Sequence, residues 1–270
     1  MKPFKILLFT FLSLTLVQCK NANSESENTP NLKDSDQEFY QLKIYSFFGE
    51  KQQNKTDTYL KEAYLPALKR FNINQVGVFK NRLTEKDSIR KTYVLIPFSN
   101  LDEFANLETT LEKDSLHLKS GANYINALHN ERPYKRIESI LLSAFTDMPK
   151  MKTTDVKGER SERVYELRSY ESPTAAYYKR KVHMFNEGGE IKLFKRLNFN
   201  AIFYADVISG PKMPNLMYMT TFPNMTVRDS LWKEFVDSPE WNKLKVIPKY
   251  QQTVSHADIR LLYPTEYSDY

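Results

Sequence analysis

The chain is poor in glycine and cysteine. Seven of its 270 residues are glycine, and the adjacent pair Gly188-Gly189 is followed by neither a GKS/GKT nor a GxGxxG pattern. This argues against the glycine-rich loops that hold phosphates. Cys19 is the only cysteine, so no disulfide can form within the chain. The burial of apolar side chains therefore has to hold the fold together.

Sequence patterns of familiar catalytic and metal sites are also missing. The histidines, His117, His129, His183 and His256, stand in no HExxH spacing, and the chain has no GxSxG pattern. His183 and Glu187, four residues apart on a predicted helix, could share a metal ion, but a solvated pair is the favoured interpretation. We assign no catalytic residue, no metal site and no cofactor from the sequence.

No block of one charge stands out. Lys and Arg number 39 against 33 Asp and Glu, a formal net charge of +6, and this excess is spread along the chain. Because nucleic-acid binding needs a concentrated basic face, we expect no nucleic-acid partner. Hydrophobic residues make up 41% and charged residues 27%, which is typical of an ordinary globular protein.

The chain opens with a segment that has the pattern of a secretion signal. Residues 1–5 are basic, and the apolar run of residues 6–17 is too short for a bilayer span of ~20 residues. Cys19 follows, as in a bacterial lipoprotein signal. In such a signal the chain is cleaved directly before the cysteine, which exposes the amine and thiol of this residue for acylation. Gln18 departs from the small residue usual there, and an ordinary cleaved signal is the alternative. We expect a signal over 1–19, a lipid on Cys19 and a membrane-anchored protein of the cell envelope.

Residues 20–37 contain almost nothing apolar to bury. The ordering entropy of such a segment is not offset by burial. We therefore predict a disordered tether between the lipid anchor and a folded body.

The rest of the chain repeats itself. Residues 39–45 (FYQLKIY) return as residues 164–170 (VYELRSY), 125 positions later. Two shorter matches follow. Asn72-Ile73-Asn74 returns as Asn198-Phe199-Asn200 at an offset of 126, and Phe98-Ser99-Asn100 returns as Phe222-Pro223-Asn224 at an offset of 124. Self-similarity at this scale indicates that one folding unit was duplicated.

Each copy has the hydrophobic pattern of a β-α-β-β-α-β unit. In the first copy the predicted strands cover 38–48, 74–83, 91–98 and 137–145, and the helices cover 58–71 and 101–111. In the second copy the strands cover 163–170, 200–208, 216–222 and 258–263, and the helices cover 174–197, 227–236 and a short piece from 239. Pro66 should bend or break the first helix, and Gly188-Gly189 should interrupt its counterpart.

Helices on one face of a four-stranded sheet leave the other face bare, and that apolar face has to be covered. The duplication supplies the cover, because the two sheets can pack on each other. We therefore predict an α+β protein of two ferredoxin-like domains, residues 38–147 and 163–266 with a linker over 148–162, that form an intramolecular pseudo-dimeric α/β barrel.

Several motifs of the second copy, in order and spacing, resemble the NIPSNAP domain. They are Tyr165–Tyr170 (YELRSY), Gly210-Pro211, Asn215-Leu216, Arg228 and Asp237–Trp241 (DSPEW). The first copy resembles a degenerate version of the same domain. It keeps Asp114-Ser115 but lacks the Pro-Glu-Trp that follows in the second copy. The resemblance implies a dimeric α/β-barrel fold and no established catalytic residue, and it leaves a homodimer open.

A set of polar residues in the second copy could line a cavity between the sheets: Arg168, Tyr170, Tyr218 and Arg228. Arg168 and Tyr170 share one face of a strand, and Leu167 points to the other. If the Arg168 face meets the cavity, these groups could hold an anionic or carbonyl-bearing small molecule. The alternative is that the Leu167 face is the core and that Arg168 is wet or ion-paired.

We therefore expect a NIPSNAP-domain lipoprotein of unestablished biochemical role, either ligand-binding or non-catalytic. The alternative is a cofactor-poor α/β-barrel enzyme, monooxygenase- or isomerase-like, acting on a small aromatic or carbonyl compound between the sheets. In that case His256, just before the last strand, is a fifth candidate for lining the cavity and could serve as general base, although a surface or turn histidine is the favoured interpretation. The two hypotheses differ in whether a cavity above ~300 Å³ opens between the sheets.

Overall fold

The computed structural model describes residues 37–82 and 89–270. Cys19, the predicted signal and the predicted tether up to residue 36 lie outside the described residues. The first copy consists of β1 Phe39–Ser46, α1 Glu50–Tyr59, a π-helical turn Leu60–Tyr64, α2 Leu65–Arg70, β2 Gly77–Asn81, β3 Lys91–Phe98, α3 Leu101–Leu111, α4 Ser115–Ser120, α5 Ala122–Ile125, a 3₁₀ turn His129–Glu131 and β4 Arg136–Ala144.

The second copy follows the same order. It consists of β5 Val164–Glu171, α6 Ala175–Phe185, α7 Glu190–Arg196, β6 Asn200–Ser209, β7 Asn215–Phe222, α8 Met225–Asp237, α9 Pro239–Leu244, a 3₁₀ turn Pro248–Tyr250 and β8 His256–Pro264.

Four asparagines mark equivalent helix ends in the two copies. Asn100 and Asn224 begin α3 and α8, and each side chain accepts a hydrogen bond of 2.9 Å from the backbone N–H three residues later. Asn72 and Asn198 follow α2 and α7 with a φ of 60° each, a left-handed conformation that asparagine tolerates better than most residues. The repeat seen in the sequence is therefore a repeat of helix boundaries.

Pro66 does not break the first helix. The chain widens into the π-helical turn instead, and the N–H of Leu65 donates to the carbonyl of Leu60 five residues back. The helix then resumes with Pro66 in its first turn, where a missing N–H is tolerated. Helix α1 also begins earlier than predicted, at Glu50, because its first two turns are polar and carry no apolar stripe.

The eight strands form a closed barrel in the order β1-β3-β2-β8-β5-β7-β6-β4. Within each copy the strands pair antiparallel, and two seams join the copies. At one seam β2 pairs with β8, and at the other β4 pairs with β6. The predicted fold class is confirmed. Because the two sheets share backbone hydrogen bonds at both seams, the described residues of the two copies form one compact unit.

The interior of the barrel is filled by side chains from all eight strands. These residues are Tyr40, Leu42, Phe79, Tyr93, Leu95, Ile140, Leu142, Ala144, Tyr165, Leu167, Ile202, Phe203, Ala205, Val207, Met217, Met219 and Leu262. Met151, from the segment between the copies, and Tyr270 complete the cluster. The helices cover the outer faces of the two sheets, where two further apolar clusters lie, one for each copy.

The two copies close a single barrel, and this joint closure predicts that a cavity made in the core of the first copy also destabilises the second copy. Leu42 is fully buried in the interior, so Leu42→Ala should lower the free energy of unfolding by about 2–5 kcal/mol. The two tryptophans, Trp232 and Trp241, both lie in the second copy. Their fluorescence should therefore show a single transition during urea unfolding. That transition should report the full loss of unfolding free energy caused by Leu42→Ala.

The matched control is Leu118→Ala, at an exposed first-copy leucine, which should change stability by no more than about 0.5 kcal/mol. A two-step unfolding curve in which Leu42→Ala leaves the tryptophan transition in place would contradict joint closure.

Candidate functional site

A cluster of buried charge lies outside the barrel wall of the second copy, under its helices. Glu166 and Arg168 alternate along β5 with Tyr165 and Leu167, which point into the barrel. The face that carries Glu166 and Arg168 therefore points outward. Glu166 is fully buried there, beneath α8.

Both carboxylate oxygens of Glu166 are used by other side chains. Arg168 donates to Oε1 at 2.6 Å. Arg228 on α8 donates to both oxygens, from Nε at 2.7 Å and from its Nη2 at 3.0 Å, a forked contact that suits a guanidinium. The indole N–H of Trp232 donates to Oε2 at 2.9 Å. Four charge-assisted hydrogen bonds thus fix this carboxylate.

The network extends from Arg168 into the sheet. Arg168 donates to the hydroxyl of Tyr170 at 2.7 Å, and this oxygen lies 3.0 Å from the hydroxyl of Tyr218 on β7. The guanidinium carbon of Arg168 also lies 3.6 Å from the centre of the Trp232 ring, a cation–π contact. Arg168 is therefore held on several sides by protein groups.

The surroundings of Glu166 favour its charged form. Burial by itself would raise the pKa of Glu166, but the hydrogen bond from Arg228, the positive charges of Arg168 and Arg228, and the bond from Trp232 outweigh it. The pKa of this carboxyl consequently lies below its ordinary value. A carboxylate held charged and fully hydrogen-bonded is a poor proton acceptor.

Four of the five predicted cavity-lining residues, Arg168, Tyr170, Tyr218 and Arg228, come together, but not in the predicted place. They lie between the sheet and the helices of the second copy, because the Leu167 face is the one buried in the barrel. His256 stays apart. It is the exposed first residue of β8, paired in register with Glu171.

One small cavity lies between the sheets. At one mouth of the barrel a cavity of about 150 Å³ opens above Leu167 and Met217. Asp258 lies on its rim with two cations, Arg260 at 2.9 Å and Lys212 at 3.7 Å. Pockets for small molecules usually have ~300–1,000 Å³, so this mouth is too small for the predicted inter-sheet site.

The first copy has a smaller version of the charged network. Lys43 stands at the position of Arg168 in the repeat, and its Nζ lies 2.9 Å from the carboxylate of Glu108 and 3.3 Å from the hydroxyl of Tyr64. Glu108 belongs to α3, the counterpart of α8. A cation on the first strand is therefore bound to a different partner in each copy.

Two of the other histidines, His183 and His117, contact tyrosines. His183 lies 2.8 Å from the hydroxyl of Tyr250, and His117 lies 3.0 Å from that of Tyr59. Among residues 37–82 and 89–270, no group of three or more His, Cys, Asp or Glu side chains could hold a metal ion.

Two patterns in the sequence point to this network. Glu166 lies two residues before Arg168 and hence on the same strand face. Trp232 lies four residues after Arg228 and hence on the same helix face. The pairing between these two faces depends on how α8 crosses β5, which neither pattern specifies.

The family comparison matches the second copy. The NIPSNAP family model matches residues 161–269. No protein in the curated set matches the chain. A NIPSNAP family protein from Agrobacterium tumefaciens C58 is 19% identical, and the alignment covers 40% of this chain and 97% of that protein, with a TM-score of 0.35.

Other solved structures align with both copies. A proposed monooxygenase from Lactobacillus acidophilus NCFM is 13% identical, and the alignment covers 84% of this chain and 94% of that one, with a TM-score of 0.54. A proposed monooxygenase from Fusobacterium nucleatum is 8% identical, over 84% and 92% of the two chains, with a TM-score of 0.51. Likeness at this level of identity shows a shared fold.

The network predicts a large penalty for removing the charge of Glu166. Glu166→Gln leaves Arg168 and Arg228 without their buried counter-charge, so it should lower the free energy of unfolding by about 3–5 kcal/mol. Glu240→Gln is the matched control. It removes an exposed carboxylate paired with Arg196 at 3.0 Å and should cost less than about 1 kcal/mol.

The effect of Glu166→Gln should also depend on pH. Because the pKa of Glu166 is lowered in the folded state, its stabilisation is present above its unfolded pKa of about 4.3 and is lost as the pH falls through the folded pKa. We therefore expect the difference in unfolding free energy between wild type and variant to be constant near pH 7. It should narrow as the pH falls below the unfolded pKa of about 4.3, in measurements taken down to pH 3. A difference that stays constant would contradict a charged Glu166.

Proposed function

Since this chain carries a NIPSNAP domain over residues 161–269, set in a barrel with a filled interior, we propose that it is a non-catalytic binding module of the cell envelope. Its body binds a small molecule without converting it, and a lipid on Cys19 holds that body at a membrane. Membrane lipid and a small-molecule ligand are the proposed partners, and a homodimer stays a prediction.

One observation carries the non-catalytic part of this proposal. Three charged groups of the predicted site and its surroundings, Glu166, Arg168 and Arg228, are bound to one another and to Trp232. A general base has to reach a proton of the substrate, whereas the carboxylate of Glu166 is fully buried under these donors. This geometry supports the stabilisation of a fold and not the turnover of a substrate.

The proposed location follows from the amino-terminal sequence. The apolar run of residues 6–17 is followed by Cys19 and a polar stretch, and a lipid on that cysteine would supply the anchor. Across the two described ranges, 37–82 and 89–270, no helix has the length and apolar character needed to cross a membrane.

The alternative is an oxygenase, as the names of two neighbours of the same fold suggest. A fold hosts many functions, so those names alone do not decide the matter. The cavity at the mouth of the barrel measures about 150 Å³, and neither Arg168 nor Tyr218 lines it. This geometry supports the non-catalytic proposal over the alternative.

Turnover tests the non-catalytic proposal directly. The purified protein should consume no oxygen and form no product when incubated in air with small aromatic and carbonyl compounds, followed by an oxygen electrode and mass spectrometry. Steady product formation that disappears in a heat-unfolded sample would overturn the proposal.

Acylation tests the anchor. Cells fed a clickable fatty acid should label the wild-type protein, and Cys19→Ser should lose that label and leave the membrane fraction, because its side chain has no thiol to acylate. Ser24→Ala, which changes a hydroxyl shortly after Cys19, is the control and should keep the label. An unlabelled wild-type protein would end the claim.

A further inference from the structure

The first copy contains a cleft between α1 and the α4–α5 segment. It has a volume of about 400 Å³, within the range of small-molecule pockets. We call it the first-half cleft. The residues that matter here are Lys51, Lys55, Tyr59, Gly121, Tyr124 and Arg132.

Two tyrosine rings line the first-half cleft. Tyr59 and Tyr124 stack at 3.8 Å with an angle of 3° between their planes. Their hydroxyls are used elsewhere, since that of Tyr59 contacts His117 at 3.0 Å and that of Tyr124 is hydrogen-bonded to Tyr45. Tyr59 is 8% exposed, so the half-buried ring of Tyr124 offers most of the aromatic surface to a ligand.

The second copy fills the corresponding place. Trp241 is the third and Leu244 the sixth residue of α9. In α4 the third residue is His117 and the sixth is Ser120. Trp241 and Leu244 pack with Met184 and Tyr250 in an apolar cluster. Ser120, by contrast, lines the cleft. Counted from the first residue of each helix, a smaller polar residue thus stands in the first copy where the second copy has a leucine in an apolar cluster.

Gly121 helps to keep the cleft open. It lies between α4 and α5, and a Cβ atom at this position would come within 2.8 Å of Ile125 and 3.1 Å of the ring of Tyr59. Both distances are shorter than carbon atoms normally reach. Any side chain here would push against the ring that lines the cleft.

The rim of the cleft has an excess of positive charge. Lys51, Lys55 and Arg132 line it, with Glu131 as the single carboxylate. Lys55 contacts only a backbone carbonyl, at 3.5 Å, and Arg132 lies over the ring of Phe48 at 5.0 Å. Within the described residues, these cations make no ion pair with a protein carboxylate.

We propose that the first-half cleft binds a small aromatic carboxylate. Its flat ring would pack against Tyr59 and Tyr124, since aromatic rings favour offset or edge contacts. Its carboxylate would be held by Lys51 and Lys55 at the rim. This assignment rests on the binding role proposed above and names the site and ligand class for it.

The probe is 2-naphthoate, titrated calorimetrically into the full chain in detergent, with a detergent-only titration subtracted. Binding should be one-to-one, and the uncharged 2-naphthalenemethanol should bind at least about tenfold more weakly, since it lacks the carboxylate. Ser120→Trp, which fills the cleft, should abolish binding, and its fold is checked by circular dichroism.

The double variant Lys51→Gln/Lys55→Gln should weaken binding of 2-naphthoate about tenfold. Its matched control is Lys179→Gln/Arg180→Gln, two exposed cations on α6 of the second copy, which should leave binding unchanged. Because these four side chains lie on the surface, both variants should fold, and the test does not depend on Ser120→Trp.

Absence of binding to the wild-type protein would overturn this site while leaving the anchor and the absence of turnover in place. Equal binding of the charged and the neutral compound, or equal weakening by both double variants, would also overturn it. Binding followed by conversion of 2-naphthoate to a product would support the site and overturn the non-catalytic function.

Discussion

The backbone seams between β2 and β8 and between β4 and β6 are the constraint on which the rest of the structure depends. An isolated four-stranded sheet would leave two open edges and one bare apolar face, both of which promote association. The seams close the edges, and closure places the bare faces against each other as a single core. Burial of Tyr40 and Leu42 in one copy thus depends on Phe203 and Met219 in the other.

Closure also decides where charge can lie. Apolar side chains fill the barrel interior. The residues that alternate with them along each strand point outward, into the layer beneath the helices. A charge in that layer is desolvated and needs a partner. The second copy supplies Arg168 and Arg228 to Glu166, and the first copy supplies Glu108 to Lys43. Both arrangements meet the same requirement with different residues.

Sequence patterns predicted the elements well where two independent signals agreed. Helix α3 has the predicted bounds, because the Asn100 cap and the stripe of Leu107 and Leu111 define it together. Alternation along β5 correctly predicts two faces, but it does not specify which face the barrel buries, and both positions of Arg168 therefore stay open from the sequence. The first-half cleft depends on helix packing around Ser120, which no local pattern contains.

Joining both copies in one polypeptide has an evolutionary consequence. In a symmetric homodimer every substitution appears twice, and a residue that suits one subunit has to suit the other. Here the codons for Ser120 and Leu244 can diverge independently. One copy can therefore keep a tightly packed structure while the other acquires smaller side chains and a different surface. Because both copies share one core, the resulting loss of stability is borne by the whole barrel.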